Sequence, residues 1–237
     1  MEEEMLEVEN LTVTVDGREV LRGLDLEVGD GETHVIFGPN GSGKTSLALT
    51  LLGFPQYRVV SGSIRLDGVE LKEKSIDERA RLGLGVAFQR PVAVRGVRLR
   101  DILRHLGAGT ELLDLVNLPP EFLDRELNVG FSGGEARRAE VLQVLAQKPK
   151  FVIFDEPDSG LDVENLELVG KAINDFLKGR SGILITHLGH ILRHVQAHMA
   201  HVLLGGRIAC SGPPSKILAQ ILKEGYRWCE TCPGSRR

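Results

Sequence analysis

The segment Gly38-Pro39-Asn40-Gly41-Ser42-Gly43-Lys44-Thr45 decides the fold that this sequence predicts, because it matches G-x-x-x-x-G-K-[ST] at every position. It lies between Thr33–Phe37, a compact run typical of a strand buried on both faces, and 43–52, where leucines recur at helical spacing. A strand, a glycine-rich loop and a helix in this order form a phosphate-binding loop, whose N–H groups surround an anion. We expect Lys44 to reach nucleotide β- and γ-phosphates and Thr45 to bind Mg²⁺. An unrelated glycine-rich turn would need the motif and both flanking elements to coincide by chance.

The composition is that of an ordinary globular protein of 237 residues, with 42% hydrophobic and 26% charged residues. It excludes a disordered, collagenous or disulfide-rich chain. A net charge of −4 gives no global basic field, so we expect no nucleic-acid partner. The longest apolar runs are far shorter than the roughly 18 residues that a bilayer requires, and Met1-Glu-Glu-Glu lacks the basic region of a signal peptide. We therefore expect a cytoplasmic protein without direct membrane insertion.

The order of the predicted elements indicates an α/β fold. Residues 6–37 resemble a series of short strands, 92–147 a group of helices, and 151–186 a strand, a helix and a second strand. The last pattern is a βαβ unit, which requires a parallel sheet. We predict a single domain over residues 1–237. Its nucleotide-binding core, with a β subdomain, occupies 1–91 and 148–215. A helical lobe occupies 92–147, and a C-terminal helix and tail occupy 216–237.

Two carboxylates, Asp155 and Glu156, directly follow the apolar run Phe151–Phe154. Because the carboxyl ends of parallel strands meet at one edge of a sheet, we expect this pair beside the phosphate loop. Asp155 is then the candidate Mg²⁺ ligand and Glu156 the candidate base that polarises an attacking water. An acid pair after a strand is usually a solvated turn, and the phosphate loop is what favours catalysis here. A module that binds nucleotide without hydrolysing it would lack Lys44 or Glu156, and both are present.

Four further motifs, together with the phosphate loop and the acidic strand, resemble those of the ATP-binding-cassette (ABC) ATPases over roughly residues 5–215. They are similar to the family's signature motif, Q-loop, D-loop and switch histidine, in the segments Phe131-Ser132-Gly133-Gly134-Glu135, Val86-Ala-Phe-Gln89, Asp158–Asp162 and Thr186-His187 respectively. The resemblance implies an ABC-type nucleotide-binding domain. Such a domain has a RecA-like core, an antiparallel β subdomain and an inserted helical lobe.

The resemblance also implies an activity, namely hydrolysis of ATP with Mg²⁺. It implies a head-to-tail homodimer in which Ser132, Gly133 and Gly134 of one subunit close over the γ-phosphate that the other subunit holds. His187 is then expected to contact this phosphate. Gln89 is expected to act in catalysis, to bind Mg²⁺ and to couple the nucleotide state to a partner.

Two departures from the family pattern point to a subfamily. Val15 stands where the family commonly has an aromatic residue that stacks on adenine, and the signature motif contains Phe131 and Glu135 where transporters have leucine and glutamine. The chain resembles SufC, the ATPase subfamily of SUF iron–sulfur cluster assembly, in four segments taken together: Val86–Pro91, Leu127–Glu135, Asp158–Asp162 and Glu224-Gly-Tyr-Arg-Trp228. This resemblance implies SufB/SufD-like scaffold proteins as partners. The alternatives are the ATP-binding subunit of an ABC membrane transporter and a DNA-repair or other non-transport cassette protein.

An apolar stretch after the Q-loop is the expected docking surface for the partner. Pro91–Val94 is apolar, and Leu99, Ile102, Leu103 and Leu106 follow at helical spacing. Part of this set must form the core of the helical lobe, so we expect only the remainder to bind the partner.

Cysteine and histidine side chains near the C-terminus suggest a second chemistry. Cys229 and Cys232 are a pair of thiols, which we interpret as incidental and mobile, because two thiols do not complete a tetrahedral metal site. His190, His194 and His198 step by four, as on one helical face, and His201 follows. We favour a solvated helix face over a metal site, because no carboxylate or cysteine joins these histidines.

Overall fold

The computed structural model describes residues 4–187 and 189–230. Ten strands run in chain order through this part, and they are β1 (Glu4–Val15), β2 (Arg18–Gly29), β3 (Thr33–Phe37), β4 (Arg58–Leu66), β5 (Val69–Glu70), β6 (Leu84–Ala87), β7 (Phe151–Asp155), β8 (Ser181–Ile185), β9 (Met199–Leu204) and β10 (Arg207–Gly212). The α-helices of the same part are α1 (Lys44–Leu52), α2 (Ile76–Arg81), α3 (Leu99–His105), α4 (Leu112–Leu115), α5 (Gly133–Gln147), α6 (Val163–Leu177) and α7 (Pro214–Glu224). Short 3₁₀ helices cover Pro120–Asp124, His190–Arg193 and Tyr226–Glu230.

The strands form two sheets. One is antiparallel, in the order β2-β1-β4-β5, and the other has the order β10-β9-β3-β8-β7-β6. In the second sheet the strands from β9 to β6 are parallel, and β10 joins β9 as an antiparallel hairpin. This arrangement confirms the predicted α/β fold with a βαβ unit over 151–185. It also brings the carboxyl ends of β3, β6, β7 and β8 to one edge of the sheet.

Both faces of the parallel sheet are covered, which explains why its central strands are continuously apolar. Every residue of β3, β7 and β8 is buried. Along β7 the side chains alternate between two cores: Ile153 packs with the antiparallel sheet and α1, and Phe154 packs with the helical lobe. The chain between β6 and β7 contains α3, α4 and α5, so this lobe stands on one side of the sheet.

The histidine prediction was wrong. The 3₁₀ helix ends at Arg193, so His190, His194 and His198 share no helical face. The backbone N–H of His198 instead donates to the Thr33 carbonyl at 2.7 Å. His201 lies on β9, is 8% exposed, and faces His34 of β3 rather than solvent. Spacing by four predicted a continuous helix, and tertiary pairing with β3 overrode it.

The interpretation of the C-terminal thiols as mobile is also wrong for Cys229. Its side chain is buried, and its Sγ lies 3.5 Å from Sγ of Cys210 on β10. Cys232 lies outside the described residues. In the described part of the chain, no group of three or more histidine, cysteine, aspartate or glutamate side chains could hold a metal ion.

Candidate functional site

A cavity of about 570 Å³ lies at the edge of the sheet where the carboxyl ends of the parallel strands meet. The phosphate loop forms one wall, and β2, the Q-loop segment and the turn between β9 and β10 contribute the others. The lining residues include Asn40, Lys44, Thr45, Gln89, Glu156 and Gly206. The α/β fold therefore places the cavity outside the carboxyl ends of the strands, where such sheets bind ligands.

The phosphate loop is shaped by its glycines. A Cβ on Gly38 would come within 2.5 Å of both the Leu203 carbonyl and Ser42 Oγ, so only glycine fits there. Gly43 has a φ of 112°, a conformation that disfavours other residues, and it directly precedes α1. The loop thus leads directly into the N-terminus of α1. The partial positive charge of this helix end favours binding of an anion.

Lys44 is buried and folds back over this loop. Its Nζ donates hydrogen bonds to the carbonyls of Gly38 at 2.7 Å and Pro39 at 3.1 Å. Burial lowers the pKa of Lys44, while the nearby Glu156 and Asp155 carboxylates act in the opposite direction. The ammonium group is therefore already held at the loop that the sequence assigns to phosphate.

Thr45, which lines the cavity, contacts the buried Asp155. Thr45 Oγ1 donates to Asp155 Oδ2 at 3.1 Å. Asp155 is only 4% exposed, and burial raises its pKa to about 6. Its second oxygen, Oδ1, is buried without a hydrogen-bond partner. A hydroxyl and an unsatisfied carboxylate oxygen at a phosphate loop are the donors that Mg²⁺ prefers, so these residues fit the ion.

Glu156 lies at the centre of a polar cluster. Gln89 Nε2 donates to its Oε2 at 2.6 Å, and His187 Nδ1 is 3.4 Å from its Oε1 without forming an aligned hydrogen bond. Glu156 is 6% exposed and has a φ of 50°, a strained conformation for a residue with a side chain. Its backbone N–H donates to the Ile185 carbonyl at 2.8 Å, which fixes the strained residue at the end of β8. The structure thus brings together the three side chains that the sequence assigned to catalysis.

Comparison with known proteins agrees with this geometry. The family model for the ABC transporter matches residues 21–159, which is more than half of the chain. The chain is also 39% identical over 244 residues to the probable ATP-dependent transporter SufC of Escherichia coli, covering 94% of this chain and 98% of the relative. This chain belongs to the ABC ATPase family.

Two further similarities place this ABC ATPase among its relatives. It is 38% identical over 241 residues to a probable ABC transporter ATP-binding protein of Streptococcus pyogenes, covering 94% of this chain and 93% of the relative. Its fold matches a dimeric ATP-binding cassette solved in a post-hydrolysis state with ADP and phosphate, with a TM-score of 0.76 at 20% identity over 88% of this chain and 98% of the other. The family membership establishes ATP binding and hydrolysis as its activity. No helix in 4–187 or 189–230 is both long and apolar enough to cross a membrane.

The signature motif of this ABC ATPase caps a helix outside the cavity. Ser132 is the N-cap of α5 and forms a capping box with Glu135: Glu135 N–H donates to Ser132 Oγ at 3.3 Å, and Ser132 N–H donates to Glu135 Oε2 at 2.6 Å. Ser132, Gly133 and Gly134 do not line the cavity of their own subunit. The helix N-terminus is therefore available to a second molecule.

The D-loop and the switch loop are tied together by Thr186. This residue is fully buried, and its Oγ1 donates to the Asp158 carboxylate at 3.0 Å. The N–H of Gly189 donates to Thr186 Oγ1 at 3.0 Å. At the other end of the D-loop, Asp162 caps α6 by accepting from Asn165 N–H at 2.8 Å. These bonds hold the segment after Glu156 next to His187.

Sequence reasoning missed two residues that hold the Q-loop. Both backbone groups of Phe88 are bound by α5: its N–H donates to Glu140 Oε1 at 3.1 Å, and its carbonyl accepts from Arg137 Nη1 at 2.7 Å. Both side chains are buried, and burial lowers the pKa of Arg137 and raises that of Glu140. Two opposite charges three residues apart in an otherwise buried helix segment are the signal that could have revealed them.

No aromatic residue is among the described residues that line the cavity. The wall from the antiparallel sheet is formed by Glu19, Val20 and Arg22 of β2. Val15, the position expected to replace the usual aromatic, does not line the cavity. The expectation that adenine lacks an aromatic stacking residue therefore stays a prediction.

Proposed function

We propose that this ATPase hydrolyses MgATP between two head-to-tail subunits, and that the reaction changes the conformation of a soluble scaffold complex in iron–sulfur cluster assembly. The observation that carries the catalytic part is the cluster of Gln89, Glu156 and His187 beside the phosphate loop. The similarity to SufC over nearly the full length of both chains supports the biological part.

The phosphate loop provides the binding part of the proposed mechanism. Its N–H groups and Lys44 would hold the β- and γ-phosphates, and Lys44 would exchange its bonds to the Gly38 and Pro39 carbonyls for bonds to phosphate oxygens. Thr45, Asp155 and Gln89 would hold Mg²⁺, which when bound neutralises charge on the phosphates. The unpartnered Asp155 Oδ1 would gain a partner in this way.

Glu156 is the general base of the proposed mechanism. A water that attacks the γ-phosphorus forms a new P–O bond as the bond to the bridging oxygen breaks, and its proton passes to the Glu156 carboxylate. Gln89 already donates to one oxygen of this carboxylate, which leaves the other facing His187. The Gln89 amide would orient the carboxylate, and the His187 imidazole would donate to the γ-phosphate.

The signature helix supports the proposed dimer. The N-terminus of α5 and the Ser132 hydroxyl would form a second anion site, and neither lines the cavity of their own subunit. In a head-to-tail pair, Ser132, Gly133 and Gly134 would close over the γ-phosphate of the other subunit. A solved ATP-binding cassette with the same fold is dimeric.

Exposed valines after the Q-loop support the proposed partner surface. Val92 is 73% exposed and Val94 is 37% exposed, while Leu99 and Leu103 belong to the core of the lobe. The segment is held by hydrogen bonds from Asn128 Nδ2 to the Val92 carbonyl and from Val94 N–H to the Leu127 carbonyl. An ordered apolar edge next to Gln89 would let SufB/SufD-like scaffold proteins respond to the nucleotide state.

The catalytic proposal is tested with Glu156→Gln and Lys44→Ala. Both should lose ATP turnover, but Glu156→Gln should retain ATP and form a dimer with it, because the ground-state contacts remain. Glu167→Gln, on the exposed face of α6, is the matched control and should behave as wild type. ATP hydrolysis at the wild-type rate by Glu156→Gln would show that Glu156 is not the base.

The partner proposal is tested by pull-down with SufB/SufD-like scaffold proteins. Val92→Asp and Val94→Asp should weaken capture without changing ATP binding. Val60→Asp, at a 58% exposed position of β4, is the control for an added surface charge. The second candidate, the ATP-binding subunit of a membrane transporter, is favoured by the name of the Streptococcus pyogenes relative, a probable ABC transporter ATP-binding protein. Capture of an integral-membrane permease instead of the scaffold would select it.

A further inference from the structure

The C-terminal segment returns to the active-site edge after α7. The helix ends at Glu224, and Gly225 has a φ of 69° and a ψ of −170°, a conformation accessible mainly to glycine, which turns the chain back. The following 3₁₀ helix is anchored by the buried Cys229, 3.5 Å from Cys210 of β10. Tyr226 is thereby half-buried and held close to the switch loop.

The Tyr226 hydroxyl contacts the switch loop. It donates a hydrogen bond to the His187 carbonyl at 2.9 Å. Burial raises the pKa of Tyr226, which keeps the donor protonated at neutral pH.

The main chain at His187 needs such support, because it leaves the sheet there. Thr186 is the last residue to pair with β3, through its N–H to the Ile36 carbonyl at 3.2 Å. His187 follows this bond and carries the imidazole that lies 3.4 Å from Glu156. The hydrogen bond from Tyr226 to the His187 carbonyl limits rotation of this peptide group, and it thereby restricts the direction of the His187 imidazole.

We propose that Tyr226 is a positioning residue for ATP hydrolysis, whose hydroxyl holds the main chain of His187 and keeps the imidazole beside Glu156. This inference rests on the role proposed above for His187. It assigns a function to the Glu224-Gly-Tyr-Arg-Trp228 motif, which the six ABC motifs leave unexplained.

Tyr226→Phe is the test, because it removes the hydroxyl and retains the ring. Loss of one positioning hydrogen bond should lower kcat for ATP about 3- to 10-fold, with KM for ATP within about twofold of wild type. Tyr57→Phe alters the other tyrosine, which does not line the nucleotide cavity, and should leave kcat unchanged. Thermal unfolding of each variant verifies that the fold is retained. Wild-type kcat in Tyr226→Phe would overturn the inference.

A double-mutant cycle with His187→Ala shows whether the hydroxyl acts through the imidazole. If it does, Tyr226→Phe should have no further effect on kcat in the His187→Ala background. An undiminished loss in that background would overturn the inference, because the hydroxyl would then act independently of the imidazole. Wild-type activity of His187→Ala would overturn both the proposed role of His187 and this inference, whereas wild-type activity of Tyr226→Phe alone would overturn only the inference.

Discussion

Acid should destabilise this protein through a buried chain of hydrogen bonds between β3, β9 and β10. His34 Nε2 is 2.8 Å from Glu32 Oε2, His34 Nδ1 is 3.0 Å from His201 Nε2, and His201 Nδ1 is 2.7 Å from Ser211 Oγ. With both rings neutral, each contact has one donor and one acceptor, from the serine hydroxyl to the glutamate. Protonation of His201 converts its accepting ring nitrogen into a second N–H donor inside the protein.

The size of the effect follows from the pKa of His201. Burial, followed by the neighbouring His34, lowers it from 6.5 to about 3. At His201 the unfolded chain therefore binds a proton below about pH 6.5, whereas the folded chain binds one only below about pH 3. The stability that is present above pH 6.5 is consequently lost as the pH falls through this range. At pH 5 the unfolded state has gained about 2 kcal/mol from this residue alone, relative to pH 8. Burial lowers the pKa of His34 as well, and its contribution has the same sign.

Urea denaturation at a series of pH values without nucleotide measures this loss. Between pH 8 and pH 5 the wild-type free energy of unfolding should fall by about 2 kcal/mol relative to that of His201→Gln, because protonation of Asp155, whose pKa burial raises to about 6, opposes the loss equally in both proteins. His201→Gln keeps a polar group but removes the titration, so its stability should depend less on pH. His105→Gln, at an exposed position of α3, is the control and should follow the wild-type curve. If His201→Gln and wild type lose the same free energy over this range, the buried pair is not the cause.

Three further predictions concern the cavity and the Q-loop. Without an aromatic platform, adenine and guanine both lose a stacking contribution of about 1–3 kcal/mol. We assign no residue to base reading, so kcat/KM for ATP and GTP should agree within about tenfold, and a much stronger preference for ATP would reveal such a residue. Asp155→Asn should raise the Mg²⁺ concentration for half-maximal ATPase about tenfold or more, because the proposed site loses a charged ligand, and an unchanged Mg²⁺ titration would exclude Asp155 as a ligand. Glu140→Ala should lower the free energy of unfolding by about 1–3 kcal/mol, because the Phe88 N–H loses its partner, with Glu167→Ala as the exposed control in urea denaturation. Equal stability of these two variants would show that the Phe88 contact contributes nothing.

The sequence by itself determined the features that are written in consecutive residues. The phosphate loop 38–45 requires glycines and a lysine at set positions, and β7 with its acid pair is one apolar run followed by two carboxylates. Such segments can be interpreted without the rest of the chain, because their strand, turn and helix preferences are local. The α/β fold follows from their order, since a strand, helix and strand of this spacing form a parallel unit.

Only the tertiary structure decided which side chains meet. Gln89 lies 67 residues from Glu156, and Tyr226 lies 39 residues from His187, yet each pair is joined by packing of separate elements. The histidines show the converse error, because the spacing of His190, His194 and His198 suggested one helical face. The 3₁₀ helix instead ends at Arg193, and the His198 N–H pairs with the Thr33 carbonyl. Local periodicity carries no information about which distant segment will cover a residue. That partner is determined by sheet order and core packing, where burial free energy summed over many residues outweighs the preference of any single segment.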